Sequence, residues 1–189
     1  MTGIQLSRLR EADRPAYEAL YESSFPPSER KTLDYMLTGE RASAYEVLVI
    51  STPDRPVAGM VITVTHGDLT MLDYFAVSPD LRGQGLGHAV LPLIRDHIRE
   101  SGGGHFFLEI ETPPPLCIPR DPCPNAEQRV RRKAFYLSAG MAETGVRAFI
   151  YGNDMELLAF PEDVGAVTFE GYNALLRATF PKGMEAERI

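Results

Sequence analysis

Hydrophobic and polar positions along the chain predict an alternation of strands and helices. Apolar runs typical of strands lie at residues 4–6, 45–51, 57–66, 69–77, 105–111, 143–151 and 155–160. Apolar residues at helical spacing mark residues 10–24, 33–37, 86–98, 127–139 and 169–178. Two helices therefore precede an antiparallel meander. The last strand of that meander, the helix from Leu86 and the strand from His105 then form a βαβ-like unit.

Proline interrupts this pattern in two places. Six prolines fall within residues 112–125, so this stretch is predicted to be an ordered excursion at the end of a strand. Pro92 lies inside a predicted helix and is expected to kink it, because proline removes a main-chain hydrogen bond. The helix after the excursion is predicted to be amphipathic, with Val130, Ala134 and Leu137 on its apolar face.

Composition and charge limit the classes of function. The chain has 189 residues, 44% of them hydrophobic, which is enough for a globular domain with a real core. A formal net charge of −7 argues against a nucleic-acid partner. No stretch reaches the roughly 18 apolar residues of a membrane span, and the N-terminus has no apolar signal-peptide core. We therefore expect a cytoplasmic protein with no membrane partner.

Cysteine and histidine usage favours neither a disulfide nor a metal. Cys117 and Cys123 are the two cysteines, and a reduced, unpaired state is expected for a cytoplasmic chain. The four histidines are scattered singly, whereas a metal site needs about four ligands. No metal cofactor is predicted.

Three glycines lie between a predicted strand and a predicted helix, in the sequence LRGQGLG. Gly83, Gly85 and Gly87 permit positive φ and a close approach of a ligand to the main chain. The unpaired N–H groups and the dipole of a helix N-terminus favour an anion there. Arg82 adds a planar guanidinium that suits phosphate oxygens. The turn is therefore predicted to bind phosphate.

Two common phosphate motifs fit this turn poorly. The dinucleotide fingerprint is Gly-x-Gly-x-x-Gly at the start of a domain, whereas here the spacing is Gly-x-Gly-x-Gly after the fourth strand. A P-loop needs Lys-Ser/Thr after its last glycine, and none stands there. A nucleotide-binding oxidoreductase stays an alternative, because Glu109 and Glu111 lie about 20 residues on, where that fold places an acid.

The sequence AVSPDLRGQGLG resembles the signature of the GNAT family of N-acetyltransferases. That signature is Arg/Gln-x-x-Gly-x-Gly/Ala after a strand and a Val-x-Pro turn, and Arg82, Gly85 and Gly87 stand at its positions. A second segment, AFYLSAGM, is similar to the family's Phe-Tyr-x-x-x-Gly-Phe segment, with Met141 in place of the final Phe.

The resemblance implies an α/β (α+β) fold. Its central sheet would be mixed and mostly antiparallel, with six to seven strands, four flanking helices, a splay between the fourth and fifth strands and a short C-terminal helix. One acetyltransferase-like domain would cover residues 1–189, with a core at 3–160 and a C-terminal extension at 161–189.

The resemblance also implies acetyl-CoA as the acetyl donor. Main-chain groups of the fourth strand would pair with its pantetheine arm, and the glycine turn would hold its pyrophosphate. The implied coenzyme-binding residues are Phe75, Ala76 and Val77 on the strand, and Arg82, Gly83, Gln84, Gly85, Leu86 and Gly87 on the turn.

Catalytic roles follow from the resemblance in the same way. The family's tyrosine, which protonates the departing thiolate, corresponds to Tyr136. Glu109 matches the glutamate that some members use as a general base. Glu111 points to the same face of the strand, because strand side chains alternate, and Asp73 interrupts an apolar segment, so both stay candidates. Many relatives have Asn seven residues before the tyrosine, where this chain has Arg129.

The acceptor side is implied least specifically. The segment SFPPSER resembles the part that caps the acceptor site, so Glu29 and Arg30 are candidate substrate-binding residues. The implied reaction is transfer of the acetyl group to a primary amine of a small molecule or peptide by direct attack. A non-catalytic acyl-CoA-binding regulatory module is the alternative, and exposed strand edges make a homodimer possible.

Overall fold

The computed structural model describes residues 3–180 and 184–189. Its strands are β1 (Gln5–Arg8), β2 (Tyr45–Thr52), β3 (Arg55–His66), β4 (Leu69–Val77), β5 (His105–Glu111), β6 (Ala142–Ile150), β7 (Asn153–Ala159) and β8 (Glu187–Arg188). Its α-helices are α1 (Arg14–Ser24), α2 (Leu33–Leu37), α3 (Leu86–Glu100), α4 (Ala126–Ser138) and α5 (Phe169–Thr179). The predicted order of elements is confirmed, and the fold is mixed α/β.

The chain divides into two compact units, of which the first runs to Val64 and resumes over Leu72–Gly102. Its strands follow the order β1-β2-β3-β4, and β2 pairs antiparallel with both β1 and β3. Helix α3 buries the apolar face that its spacing predicts, which comprises Leu86, Val90, Ile94 and Ile98. The fully buried Tyr17 of α1 donates a hydrogen bond to the main-chain oxygen of Val61, 3.2 Å away.

The second unit consists of Thr65–Met71 and the chain from Gly103 onwards. Its strands follow the order β4-β5-β7-β6-β8, and β7 pairs antiparallel with β5 and β6. The buried side chains of this unit include Phe106, Phe107, Leu157, Leu158, Tyr172, Leu175 and Leu176. Helix α5 therefore belongs to this core, as one apolar helical face predicts.

The strand count differs from the prediction. The described residues contain eight strands instead of six to seven, because β8 adds two residues that pair antiparallel with Ala148 and Phe149 of β6. A two-residue strand has no periodicity, so the sequence pattern cannot reveal it. The single domain over residues 1–189 and the splay between the fourth and fifth strands stay predictions.

The apolar face predicted for helix α4 is wrong, because its residues are exposed. Val130 and Leu137 are 47% and 39% exposed, and Ala134 is exposed too, whereas the side chain of Arg129 is completely buried. The helix therefore packs through a face that carries charge. That face is buried because carboxylates from β5 and from the proline-rich excursion supply partners for the guanidinium.

The expectation that both cysteines are unpaired thiols is wrong. Cys117 and Cys123 are joined in a disulfide within the proline-rich excursion. Their Cα atoms are 6.4 Å apart, because the excursion turns back on itself over the intervening residues.

Candidate active site

The glycine turn after β4 takes a backbone conformation that favours glycine. Gly83 and Gly85 have φ of +72° and +80°, and Gly85 caps the N-terminus of α3 in the left-handed region. A Cβ at either position would meet no atom within 4 Å. The dihedral angles, and not crowding, therefore select glycine, and the open space lets a ligand approach the main chain.

The predicted coenzyme-binding residues of the turn lie close together. Arg82 is exposed, and its Nε donates a hydrogen bond to the main-chain oxygen of Val77, 3.1 Å away. The side chain of Gln84 donates to the main-chain oxygen of Asp80 at 2.9 Å. The side chain of Leu86 is buried, so this residue offers a ligand only its main chain. The turn is thus held by its own side chains directly before the helix N-terminus.

The end of β4 is fixed along its edge with β3. The N–H of Ser78 donates to the oxygen of Ala58 at 3.0 Å. Gly59 of β3 allows a close approach, because a Cβ there would lie 2.7 Å from the oxygen of Ala76. The strand that carries Phe75, Ala76 and Val77 is therefore rigidly placed ahead of the turn.

Asp73 of β4 forms a buried ion pair with Lys31. The Nζ of Lys31 lies 2.8 Å and 2.6 Å from the two carboxylate oxygens of Asp73. The ammonium also lies 5.1 Å from the ring centroid of Tyr74 and 5.7 Å from that of Tyr45. Burial raises the pKa of Asp73 above its ordinary value, while Lys31 acts in the opposite direction. Sequence reasoning missed Lys31, although it directly follows SFPPSER.

Two tyrosine hydroxyl groups bind the main chain of the segment that contains Glu29 and Arg30. The hydroxyl of Tyr74 donates to the oxygen of Glu29 at 2.7 Å and accepts from the N–H of Lys31 at 3.1 Å. The hydroxyl of Tyr21 donates to the oxygen of Lys31 at 3.1 Å. The side chain of Glu29 is exposed, whereas that of Arg30 is partly buried with Nη1 3.6 Å from Glu22. The main chain of this segment is therefore fixed.

In the second unit, Glu111 of β5 is bound by two guanidinium groups of α4. Its Oε1 accepts from Arg129 at 3.1 Å and its Oε2 accepts from Arg132 at 2.9 Å. Arg129 also contacts Asp121, with Nη1 and Oδ2 2.6 Å apart. Burial acts against ionisation of Asp121, but hydrogen bonds from Arg129 and two main-chain N–H groups lower its pKa. Arg129 therefore ties the proline-rich excursion to β5.

Glu109, two residues earlier on β5, has a different kind of partner. The hydroxyl of Tyr172 on α5 donates a hydrogen bond to Oε2 of Glu109. Tyr172 is completely buried and packs its ring edge-on against Phe107, with 6.2 Å between the centroids. Sequence reasoning missed Tyr172, because its helical spacing indicates only a core residue.

Tyr136 lies on the same face of α4 as Arg129 and Arg132, at positions i, i+3 and i+7. Burial raises the pKa of Tyr136 to about 12, and the charge of Arg132 acts in the opposite direction. The phenol is therefore protonated at neutral pH and able to donate a proton. Tyr136, Glu109 and Glu111 all belong to the second unit, whereas the glycine turn and Asp73 belong to the first.

Within residues 3–180 and 184–189, no group of three or more His, Cys, Asp or Glu side chains is arranged to hold a metal ion. No described helix is both long and apolar enough to cross a membrane.

A family profile and solved structures resemble this chain. The profile of the acetyltransferase (GNAT) family matches residues 6–114. Among curated proteins, no sequence matches the chain. In a comparison with solved structures, the spermidine N-acetyltransferase of Vibrio cholerae in complex with CoA and spermine superposes with a TM-score of 0.63 at 13% identity, covering 87% of this chain and 99% of that one.

Two further structures extend this similarity. The ribosomal-protein-S18-alanine N-acetyltransferase of Escherichia coli is 25% identical, with a TM-score of 0.53, and the match covers 84% of this chain and 93% of that chain. A protein of Bacteroides thetaiotaomicron assigned to the GNAT family is 20% identical, with a TM-score of 0.61, and the match covers 82% of this chain and 86% of that one.

Proposed function

Because this chain belongs to the GNAT acetyltransferase family, we propose that it transfers the acetyl group of acetyl-CoA to a primary amine of a small molecule or peptide. The amine attacks the thioester directly, with no acetylated side chain in between. The observation that carries this proposal is the left-handed backbone at Gly83 and Gly85, immediately before the N-terminus of α3.

The first unit holds the coenzyme in this proposal. The first turn of a helix has N–H groups with no carbonyl partner inside the helix, and the dipole adds partial positive charge. Together with the guanidinium of Arg82, these groups fit a pyrophosphate. Main-chain groups of Phe75, Ala76 and Val77 would pair with the amides of the pantetheine arm.

Glu109 and Tyr136 supply the proton transfers in this proposal. Acetyl-CoA supplies the acetyl group as a thioester. Glu109 accepts a proton from the acceptor ammonium, which leaves a neutral amine to form the new C–N bond. The nitrogen then loses a second proton to solvent as the amide forms. Tyr136 donates its proton to the sulfur as the C–S bond breaks, and solvent reprotonates the phenolate. A phenol with a pKa of about 12 keeps its proton until this step.

Glu109 is the carboxylate that we assign as the base, because it matches the glutamate that some family members use. Both oxygens of Asp73 accept from Lys31, and both oxygens of Glu111 accept from guanidinium groups. A carboxylate bound to a fixed cation takes up a proton only by giving up that ion pair. Glu109 accepts a hydrogen bond from the phenol of Tyr172.

We expect a small cationic amine to be the preferred acceptor. A net charge of −7 attracts cations and repels acidic molecules during diffusional encounter. The similar enzyme of Vibrio cholerae is a spermidine N-acetyltransferase, which is an example of that substrate class. The similar enzyme of Escherichia coli acetylates an alanine of a ribosomal protein, so N-terminal peptides belong in the same screen.

The proposal is tested by following thiol release from acetyl-CoA with a panel of polyamines, aminoglycosides, amino-acid amides and N-terminal or lysine peptides. Turnover with at least one amine is the expected result. Coenzyme binding without turnover on any of them would establish the alternative, a non-catalytic acyl-CoA-binding module. Stabilisation by NAD(P) but not by acetyl-CoA in thermal unfolding would instead indicate a nucleotide-dependent oxidoreductase.

Three carboxamide variants test the base in the same assay. Glu109→Gln is expected to lower kcat/KM by about 10²-fold or more. Glu111→Gln and Asp73→Asn are matched controls, each removing one carboxylate charge, and we expect smaller losses that follow their effect on stability. If either control loses more turnover than Glu109→Gln at equal stability, the base is assigned wrongly.

A further inference from the structure

Helix α5 lies beyond residues 6–114, to which the family profile extends, yet it contacts the proposed base. The hydroxyl of Tyr172 donates to Oε2 of Glu109, and the two residues are 63 positions apart in the sequence. The Tyr172 ring is completely buried. A buried hydroxyl needs a partner, and here a carboxylate supplies it.

Contacts at the N-terminus and near the middle of α5 define its position. The side chain of Thr168 caps the N-terminus by accepting from the N–H of Gly171 at 3.1 Å. Near its middle, the buried Asn173 accepts from the N–H of Ala186 at 2.9 Å. The bond from Ala186, with the buried Leu175 and Leu176, fixes the rotation of the helix. The Tyr172 hydroxyl therefore has a defined position.

The strand side of the contact is equally rigid. β5 pairs antiparallel with β7, and Glu109 stands opposite Leu157, which is buried. Phe107, on the same face of β5 as Glu109, packs against the Tyr172 ring. Helix and strand thus hold donor and acceptor on two fixed elements.

We infer that Tyr172 is a positioning residue for the acetyl-transfer reaction, which orients the Glu109 carboxylate and stabilises its charged form through the hydrogen bond to Oε2. This inference rests on the proposed function, in which Glu109 is the base. It assigns the C-terminal extension a part in the reaction. A hydrogen bond donated to a carboxylate favours the ionised form, which is the form that accepts a proton.

Charged groups lie near Glu109 in the sequence of β5 and on α4. Glu111, two residues away on β5, carries a negative charge that would favour protonation of Glu109. Arg129 and Arg132 of α4 bind Glu111 and balance that charge. Removal of the Tyr172 hydroxyl takes away its hydrogen bond to Glu109, whereas the ion pairs of Glu111 are made by Arg129 and Arg132.

The test compares Tyr172→Phe with Tyr151→Phe, because each variant loses one phenol hydroxyl and Tyr151 is exposed. In Tyr172→Phe, the acid limb of the pH profile of kcat/KM is expected to move up by about one pH unit, so that kcat/KM on that limb falls about tenfold. The alkaline plateau is expected to change little, and Tyr151→Phe is expected to match the wild type.

A second pair of measurements keeps the inference falsifiable if Tyr172→Phe folds poorly. 3-Fluorotyrosine at position 172 keeps the ring and the hydroxyl but makes the phenol more acidic, so the acid limb is expected to move down. Carbon-13 NMR titration follows the Glu109 carboxyl directly and needs no turnover, with its signal assigned by means of Glu109→Gln. The titration midpoint is expected to rise in Tyr172→Phe and to fall in the 3-fluorotyrosine protein.

An unchanged acid limb and an unchanged Glu109 titration in folded Tyr172→Phe would overturn the inference. A loss of kcat/KM equal at every pH and matched by a loss of stability would show a merely structural role. Absence of thiol release by the wild type would instead refute the proposed function, and the NMR titration would still decide whether Tyr172 controls the ionisation of Glu109.

Discussion

Three carboxylates of this chain accept hydrogen bonds from different kinds of donor. Asp73 accepts from an ammonium, Glu111 from two guanidinium groups and Glu109 from a phenol. The first two are held in ion pairs, and a carboxylate bound to a fixed cation takes up a proton only by giving up that pair. At the scale of single residues, carboxylates of the same chemical type therefore differ through their hydrogen-bonding partners.

Tyr136 provides a prediction at this scale. Its pKa of about 12 lies above the ordinary value near 10, so the phenol stays protonated through the neutral and mildly alkaline range. Tyr136→Phe is expected to lower kcat by about 10²-fold or more, because the thiolate loses its proton donor. The wild-type rate is expected to show no loss from Tyr136 ionisation below about pH 11.

Steady-state kinetics between pH 7 and pH 10 with wild type and Tyr136→Phe check this prediction. Glu109 stays intact in both proteins, so the acid limb should be common to them. A wild-type alkaline loss near pH 9 that disappears in Tyr136→Phe would contradict the raised pKa, and equal kcat values would contradict the role as acid.

Among the elements, α4 packs in an unusual manner. Its buried face is formed around Arg129, with Lys133 one turn on bound to Glu156 at 2.8 Å, while its apolar stripe faces solvent. The excursion that follows β5 supplies Asp121 for the same guanidinium. An ion pair therefore joins this helix to the proline-rich segment.

Arg129→Met is expected to destabilise the protein by about 3–5 kcal/mol, because it leaves the carboxylate of Asp121 buried without its cation. Arg131→Met is the matched control on the same helix, where the side chain is 74% exposed, and about 0.5 kcal/mol or less is expected. Urea denaturation measures both free energies of unfolding.

A second substitution isolates the ion pair. In Arg129→Met/Asp121→Asn the unpaired charge is gone, so part of the lost stability should return. Equal urea midpoints for Arg129→Met and Arg131→Met would show that the buried ion pair contributes nothing to stability. A double variant no more stable than Arg129→Met would show that the lost stability does not come from the unpaired carboxylate of Asp121.

Charge is a property of the whole molecule that bears on the acceptor. With a net charge of −7, encounter with a polycationic amine should be accelerated at low ionic strength. Raising ionic strength from about 0.01 M to about 1 M shortens the Debye length from about 30 Å to about 3 Å. kcat/KM for a polyamine is therefore expected to fall severalfold, with kcat little changed.

The control for salt is a monoamine in the same buffers, whose kcat/KM should fall less because fewer charges are screened. A polyamine kcat/KM that is independent of salt, or that rises with it, would remove the electrostatic argument for a cationic acceptor. Homodimer formation is a second property of the whole molecule. It is expected from the exposed strand edges and stays a prediction.

The sequence by itself determined most of the elements and the conformation of the glycine turn. Strands and helices appear in the predicted order, because hydrophobic periodicity acts over a few neighbouring residues. Gly83 and Gly85 take positive φ because the demand for glycine is also local. The two-residue strand β8, the exposed apolar stripe of α4 and the disulfide lay beyond this reasoning.

Only the tertiary structure decided which partner each carboxylate has. Lys31 and Asp73 are 42 residues apart in sequence, and Tyr172 and Glu109 are 63 apart. No local pattern specifies such pairs, because they depend on how helices rotate and pack against the strands. The sequence shows which acids and tyrosines are present, and packing selects the partner of each.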